Sequence, residues 1–441
     1  MNVDLIVATS IFIIFVSAVF IYLFVFQKQA SSWQTLIELR KRTAELTKEF
    51  IGKGNPENWE KENIIPSKVG IASTAFSIPI LISDHSGVNR LNEPIAIEIY
   101  FDEECKNIAW NESIRIYDEN LNEIPYKFLN QTFCFSNFLQ KAILFFEINV
   151  SANSSRRLQI FFHNSTSVKS KNYGNFSSLV LWLKFDEGYG SIAYDYSGNN
   201  NIGILYNGTN VCSNPPTSSC PSWIDGKVGK AISFDGINDY ISVSNFEGNF
   251  SQLSIEVSIY PKSYENYKKI VDFGLNSSSG RRFTLQLALD GISMELDDGT
   301  SGYVKWASAP LNQWLHLVGV WSGSSFIRLY VNGEMKTENT TLPNITSCSI
   351  LSTDLHMIGR GIGAEHYFNG TIDEVRIYNR VLSIEEIISR YQQPLLIKTF
   401  PRQKVDLISF EKVDSLKNIS YDLLKEILHE GYNFRVEIYE K

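Results

Sequence analysis

The chain has 441 residues, of which 13% are aromatic and 20% charged, and its formal net charge is −8. This length exceeds one ordinary hydrophobic core, so we expect two or three domains. The aromatic content is typical of folded modules rather than disordered chain, and the acidic balance argues against a nucleic-acid partner.

The chain begins with a predominantly apolar run of 22 residues, Leu5–Phe26, followed by a helical pattern that continues to Phe50. At about 1.5 Å per residue the run is long enough to cross a bilayer. It lacks a basic leading region and a small-residue cleavage site, so residues 1–50 are predicted to form a transmembrane and stalk helix rather than a removed signal. Lys28 and the basic cluster at 40–42 would place the bulk of the chain in the cytoplasm.

Residues 75–168 alternate between apolar and polar side chains, most clearly at Ile95, Ile97 and Ile99. This period of two predicts strands of a small β-sandwich. A turn-rich stretch, residues 51–74, precedes this module, and the polar segment Lys169–Ser178 follows it.

Residues 172–393 contain short β-branched and aromatic runs separated by Gly, Asn and Asp, including Ala231–Phe234, Leu253–Tyr260, Trp314–Trp321 and Ile327–Val331. Such spacing predicts two antiparallel sheets packed face to face. Near the end, Ser383 and Glu386 form an S-x-x-E capping box that opens a short helix, Ile384–Tyr391. The fold class predicted for the whole chain is therefore mainly β: a larger sandwich, a smaller one, and few helices.

The order "LVLWLKFDEGYGSIAYDYSGNNNIG", "GKVGKAISFDGINDYISV" and "FNGTIDEVRIYNRVLSIEEIISRY" resembles the laminin G-like branch of the concanavalin A-like lectin/glucanase superfamily. The resemblance implies a jelly-roll sandwich at 172–393. The smaller module resembles a β-sandwich domain of unknown function that often precedes laminin G-like domains in prokaryotic surface proteins.

The same resemblance implies a structural calcium ion, which takes carboxylate and carbonyl oxygens as ligands. Asp373 in "IDEVRIY" stands at the position of the superfamily's metal carboxylate. Nearby loops that could supply further ligands contain Asp186, Asp195, Asp235 and Gly236. Asx turns are the alternative explanation for Asp before Gly or Ser.

A glycan site needs rings that stack on a sugar and polar groups that bind its hydroxyls. Several aromatic residues lie in segments between predicted strands and are candidates for that role: Tyr264, Tyr267, Tyr303, Trp306, His366 and Tyr367. The alternative is that these rings are buried, as most are in an aromatic-rich sandwich.

The sequence argues against catalysis. Glucanases of this superfamily place two carboxylates on one strand as E-x-D-x-E or E-x-D-x-x-E, because alternate positions face one cleft. The nearest match, Glu295 with Asp297, lacks the second glutamate. His316 in "WLHLV" is interpreted as a packed strand residue, and no Ser-His-Asp pattern accompanies it.

Two features favour an extracytoplasmic location. Thirteen N-x-S/T sequons occur, all between Asn111 and Asn418, which is more than composition predicts. Cys105 and Cys134 fall in one β-region and Cys212 and Cys220 bracket a short loop, so each pair is a disulfide candidate. Cys348 is either a buried thiol or a member of a different pairing.

The tail, residues 398–441, contains a helix opened by Ser420 and an alternating final strand. Together with residues 51–74 it resembles the two halves of a small α+β domain in archaeal membrane-anchored, pilin-like proteins. We therefore predict that Asn55–Ser73 packs against Ser420–Tyr439, and that both β-modules are insertions into this membrane-proximal domain.

The prediction for function is a non-catalytic, single-pass protein of an archaeal cell surface whose lectin-like domain binds glycans or other surface ligands. The alternative is a structural, pilin-like or cell-envelope subunit in which the sandwich is a spacer. A divergent glycoside hydrolase is the third candidate.

Overall fold

The computed structural model describes residues 72–408 except 121, 165–172, 175, 177, 214–218, 265–266, 276–280, 289, 298–300, 343–344, 363–365 and 393. This part of the chain is mainly antiparallel β-structure, as predicted. It contains no helix long and apolar enough to cross a membrane. The predicted helix of residues 1–50, the segment 55–71 and the tail beyond 408 lie outside the described residues.

The first six strands are β1 Ala72–Ser83, β2 Arg90–Tyr100, β3 Arg115–Asp118, β4 Lys127–Phe135, β5 Phe138–Val150 and β6 Ser155–Phe162. Then come β7 Leu179–Leu183, β8 Ile192–Tyr194, β9 Ile202–Asn207, β10 Asn210–Val211, β11 Ser222–Asp225, β12 Lys230–Asp235, β13 Asp239–Ser244, β14 Gly248–Phe250 and β15 Leu253–Pro261. Next are β16 Lys269–Gly274, β17 Arg282–Ala288, β18 Gly291–Asp297, β19 Ser301–Ala307, β20 Leu315–Ser322, β21 Phe326–Val331 and β22 Glu334–Asn339. The last are β23 Cys348–Ile350, β24 Leu355–Ile358, β25 Asn369–Tyr378, the helix α1 Ile384–Gln392, β26 Leu396–Thr399 and β27 Gln403–Ile408.

The first sandwich packs a five-stranded sheet, β26-β1-β6-β3 with β27 also on β1, against the three-stranded sheet β2-β5-β4. Alternate residues of each strand face the core between them, among them Ile80 of β1, Ile97 of β2 and Leu144 of β5. This is the period-two burial that the sequence predicted. Strands β26 and β27 belong to this sandwich, although the sequence had grouped residues 398–408 with the tail domain.

The chain enters and leaves the described region on one sheet. Strand β1 pairs with β27 in antiparallel register, so that Ala72 stands opposite Ile408. Whatever precedes residue 72 and follows residue 408 is therefore attached at adjacent backbone positions.

The second sandwich consists of an eight-stranded sheet, β11-β12-β25-β15-β20-β21-β22 with β7 on β25, and a nine-stranded sheet, β10-β9-β13-β24-β16-β17-β18-β19 with β8 on β9. Their inner faces share one large core. The sheets approach closely where Gly319 faces Met294, because a Cβ at Gly319 would lie 2.4 Å from the methionine sulfur. A glycine is needed at this contact.

The outer face of the eight-stranded sheet is covered. Phe145 of the first sandwich packs with Val318, Tyr378 and Ile387 in a third hydrophobic cluster, which also includes Trp182. Helix α1 lies in this junction. Its capping box forms as predicted: the Ser383 amide donates to Glu386 at 2.9 Å, and the Glu386 amide donates to the Ser383 hydroxyl at 3.2 Å.

A network of buried ions crosses the same junction. The Glu256 carboxylate accepts from His316 at 2.9 Å, Arg376 at 3.2 Å and Arg390 at 3.3 Å. Burial alone would raise the pKa of Glu256, but Arg376 and Arg390 hold it well below its ordinary value. Arg390 also bonds Glu93 of β2 at 3.1 Å. The two sandwiches are thus joined by both apolar and ionic contacts.

Candidate functional site

The outer face of the nine-stranded sheet is the candidate site. Residues directly opposite one another in antiparallel strands share a face. One such row crosses six strands: Ser242, Met357, Asp272, Thr284, Glu295 and Tyr303. The face is therefore polar at its centre, in contrast to the apolar outer face of the eight-stranded sheet.

A β-bulge sets the centre of this face. The register of β16 shifts between Lys269 and Val271, so Ile270 and Val271 both enter the core. Lys269 and Asp272 consequently face outward together, although an odd sequence separation would place them on opposite faces of a regular strand. Periodicity in the sequence could not predict this pairing.

Asp272 organises the surroundings of the bulge. It is fully buried and accepts a bidentate pair of bonds from the Arg282 guanidinium. It also accepts from the Thr284 hydroxyl at 2.8 Å and from the Ile362 amide at 2.8 Å. The bond from the Ile362 amide holds the segment after β24 against one end of the face.

That end carries a cluster of aromatic rings. Tyr206 and Tyr240 stack with centroids 4.9 Å apart and planes at 10°, and Tyr367 is 6.5 Å from Tyr240. The Arg360 guanidinium lies over Tyr240 at 4.8 Å and over Tyr367 at 5.5 Å. The Tyr267 ring is 6.2 Å from His366.

The predicted ligand residues divide into two groups. Tyr267, His366 and Tyr367 meet at the aromatic end, and Tyr303, 61% exposed, lies across the sheet from them. Tyr264 and Trp306 instead pack against the core, and the Tyr264 hydroxyl donates to the Ala309 carbonyl.

Sequence reasoning missed Tyr206, Tyr240, Arg360 and Lys269. Tyr206 and Tyr240 alternate with the core residues Leu205 and Ile241 in their strands, and this alternation was a usable signal for the two tyrosines. No local sequence pattern identifies Lys269 or Arg360. Lys269 faces the site because of the bulge in β16, and Arg360 lies in the segment that follows β24.

Asp373, the predicted metal carboxylate, is fully buried at the opposite sheet. Its Oδ2 accepts the amides of Lys227 at 2.8 Å and Val228 at 3.0 Å, whereas its Oδ1 is buried without a hydrogen bond. Burial and the neighbouring carboxylates of Glu374 and Asp186 raise the pKa of Asp373 to about 8. A buried oxygen without a donor, among like charges, fits a position that a cation would stabilise.

Asp186 lies beside the same loop. Its Oδ1 accepts the Lys230 amide at 3.0 Å, and a side chain at Gly229 would collide with it. Within the described residues, however, no group of three or more His, Cys, Asp and Glu side chains is arranged to hold a metal ion. Further ligands would have to be backbone carbonyls of the loop between β11 and β12, since calcium accepts such oxygens.

The other predicted metal residues lie elsewhere. The two carboxylate oxygens of Asp195 accept hydrogen bonds from Trp182, Ser197 and Asn201, as in an Asx turn. Asp235 stands opposite Asn369 of β25. Asn369 is four residues from Asp373, which is roughly 13 Å along the strand. Its Oδ1 accepts the amide of Ile237, and Gly236 beside it has a φ of +81°. Both positions serve turns in the described structure.

Both predicted disulfides form, Cys105–Cys134 and Cys212–Cys220, and Cys348 is buried outside them. Glu295 and Asp297 share the outer face of β18, as alternate residues must. The nearest buried carboxylate in the row with Glu295 is Asp272, which is sealed by four hydrogen bonds.

A family model described as the concanavalin A-like lectin/glucanases superfamily matches residues 235–388. The second sandwich therefore contains a laminin G-like, lectin-type domain. No curated protein sequence matches the chain.

Among solved structures, domain 4 of an extracellular arabinanase from Geobacillus stearothermophilus, determined with arabinotriose, is 20% identical with a TM-score of 0.38. The match covers 50% of this chain and 100% of that domain. The binding domain of Paraclostridial mosquitocidal protein 1 is 17% identical, with a TM-score of 0.39 and coverage of 48% and 52%. The receptor-binding domain of botulinum neurotoxin mosaic serotype C/D is 16% identical, with a TM-score of 0.36 and coverage of 48% and 50%. The chain thus spans about half the length of the two toxin domains.

Proposed function

We propose that this chain is a non-catalytic surface protein whose second sandwich binds glycans on the outer face of its nine-stranded sheet. One observation carries the proposal: the other outer face is covered by helix α1 and the first sandwich, whereas this one carries the exposed rings of Tyr267 and Tyr303. Rings that stack on sugars and side chains that bind hydroxyls are the chemistry of a carbohydrate site.

A glycan array probed with the full-length protein tests the proposal. Retention of defined oligosaccharides that is lost in Tyr303→Ala, with the melting temperature unchanged, supports a glycan site on this face. Retention of no glycan, or binding unaffected by substitutions on this face, would overturn it.

Calcium is the second part of the proposal, with Asp373 as the carboxylate ligand and Asp186 beside it. The support is the buried Asp373 oxygen without a donor and the raised pKa of that carboxyl. The ion would stabilise the loop between β11 and β12 on the C-terminal strand β25. Isothermal titration with calcium that gives no heat, together with a melting curve indifferent to chelator, would exclude it.

The proposed location is the outside of an archaeal cell membrane, with residues 1–50 as anchor. Nine sequon asparagines lie in the described residues, and none of them is buried: Asn111, Asn130, Asn149, Asn153, Asn164, Asn207, Asn249, Asn339 and Asn369. The two disulfides point the same way, since such bonds persist in oxidising compartments. Mass spectrometry of native protein should find bridged cysteines and occupied sequons, and free thiols with unmodified asparagines would refute the location.

A structural, pilin-like role is the alternative function. The pairing of Ala72 with Ile408 favours it, because both connections leave from one sheet edge, as expected of modules inserted into a membrane-proximal domain. Assemblies seen by electron microscopy that persist when the glycan site is mutated would support this role over the lectin role.

A further inference from the structure

We propose that the glycan recognised by this face carries a carboxylate group, and that Lys269 and Arg360 bind it at the aromatic end of the sheet. This inference rests on the proposed glycan-binding function and specifies its ligand class. It starts from two cations that form no salt bridge within the described residues.

Lys269 is the first of these cations. Its residue is only 6% exposed, and its ammonium bonds the neutral amide oxygen of Gln286, 5.9 Å from the Tyr267 ring centroid. It forms no salt bridge with any carboxylate in the described residues. Two carboxylates act on it without forming a salt bridge: Asp272, which is already paired with Arg282, and Glu295. A buried cation with only a neutral partner is costly and is stabilised when an anion arrives.

Arg360 is the second of these cations. Its guanidinium lies against Tyr240 and Tyr367, and its Nε is buried without a hydrogen bond. The salt bridges of the described region do not include this residue. The Tyr240 side chain accepts one hydrogen bond from this guanidinium, and the remaining donors suit a planar, two-oxygen acceptor such as a carboxylate.

The two cations lie on neighbouring segments. Gly361, which follows Arg360, passes so close to Lys269 that an added Cβ would lie 3.3 Å from the lysine Cγ. His366 is at the same contact, and burial together with Lys269 and Lys268 lowers the pKa of its imidazole. The local field is therefore positive.

Farther along the sheet, on β18, the charged side chains are acidic rather than basic. Glu295 and Asp297 share the outer face of β18, beside the exposed Tyr303. A glycan with a carboxylate at one end would place its neutral rings on the tyrosines and the carboxylate at the positive end, because the opposite end repels it. Charge complementarity thus favours an acidic glycan over a neutral one and gives it a direction on the face.

The test uses the full-length protein and two probes of equal length and linkage: an oligosaccharide that ends in a single uronic acid and the same oligomer with that carboxyl group reduced to an alcohol. We expect the acidic oligomer to bind at least about tenfold more tightly, with an affinity that falls as salt rises. Arg360→Gln and Lys269→Gln should each remove most of that preference, and Arg360→Lys should restore part of it. Lys305→Gln, on the same face but paired with Asp290, is the matched control and should change nothing.

The outcomes separate the inference from the proposed function. Equal affinity for both oligomers, with loss in Tyr303→Ala, would overturn the charge inference and leave the glycan site standing. Binding of neither oligomer, while the array retains neutral glycans on the same face, would also overturn it. If no glycan binds at all, both proposals fail.

Discussion

Arg390 of helix α1 donates to Glu93 of strand β2 at 3.1 Å, across a sequence separation of 297 residues. The guanidinium is 3% exposed and also bonds Glu256 of the second sandwich at 3.3 Å. A single side chain therefore links a strand of the first sandwich to the buried ion network of the second.

Removing that cation should destabilise the pair of sandwiches. Arg390→Met leaves Glu256 and Glu93 buried with fewer partners, so the free energy of unfolding should fall by about 3–5 kcal/mol in urea titrations. Lys106→Gln removes an exposed salt bridge to Glu104 and serves as the control with no measurable change. A loss below about 1 kcal/mol for Arg390→Met would show that the ion network is dispensable.

Asp373 predicts a specific pH dependence. Its folded-state pKa, about 8, lies above the ordinary value of 3.8, so the folded protein holds a proton that the unfolded chain releases. The stabilising effect is complete below about pH 4 and is lost as the pH rises to 8. Asp373→Asn cannot ionise, so without calcium it should be more stable than wild type at pH 8 and similar at pH 4.

At pH 8 calcium should make wild type more stable than Asp373→Asn, since it binds the ionised carboxylate and stabilises the folded state by mass action. Melting curves with calcium and with chelator, at both pH values, measure this. Asp290→Asn, at an exposed carboxylate in the turn between β17 and β18, is the control. Wild type and Asp373→Asn with identical curves under all four conditions would rule out both the buried charge and the ion.

The two disulfides should contribute unequally. Cys105–Cys134 closes a sequence separation of 29 residues and Cys212–Cys220 one of 8. Because a longer loop loses more unfolded-state entropy, the paired serine variant of the first bridge should lose about 3.5 kcal/mol and that of the second about 2.5 kcal/mol. Denaturation of each variant under oxidising conditions gives the comparison. A larger loss from the short loop would contradict this loop-entropy ranking.

Exposed and packed rings should behave differently in binding. Tyr303→Ala removes a ring that is 61% exposed and should weaken glycan binding about tenfold without lowering the melting temperature. Trp306 lies on the same strand but packs against the core, so Trp306→Ala should lower the melting temperature. If Trp306→Phe, which keeps the packing, abolished binding in titration calorimetry, the assignment of the face would be wrong.

Glycoside hydrolysis should be absent at every pH. Asp297 follows Glu295 on the same face, but Gly299 and Thr300 stand where the glucanase pattern has its second glutamate. Asp272, the carboxylate in the same row as Glu295, is buried under four hydrogen bonds. Reducing-sugar assays over a panel of polysaccharides measure this. Turnover that disappears in Glu295→Gln would establish the divergent-hydrolase alternative.

Local patterns were sufficient for much of the described fold. Period-two alternation at Ile95, Ile97 and Ile99 of β2 predicted which side chains enter a core, because the pleat itself alternates. The Ser383–Glu386 box predicted the start of α1, since a cap depends only on residues within one turn. The cysteine spacing predicted both bridges, and the superfamily resemblance placed Asp373 next to Asp186.

Tertiary structure alone decided the functional surface. The bulge at Ile270 put Lys269 and Asp272 on one face against the local period, and long-range pairing stacked Tyr206 on Tyr240 and brought Tyr367 and Arg360 beside them. Docking of the first sandwich then covered the outer face of the eight-stranded sheet. Which strands are neighbours, where a register slips and which face another module buries depend on contacts between residues far apart in the chain, whereas a sequence pattern records only the face on which each residue of a regular strand lies.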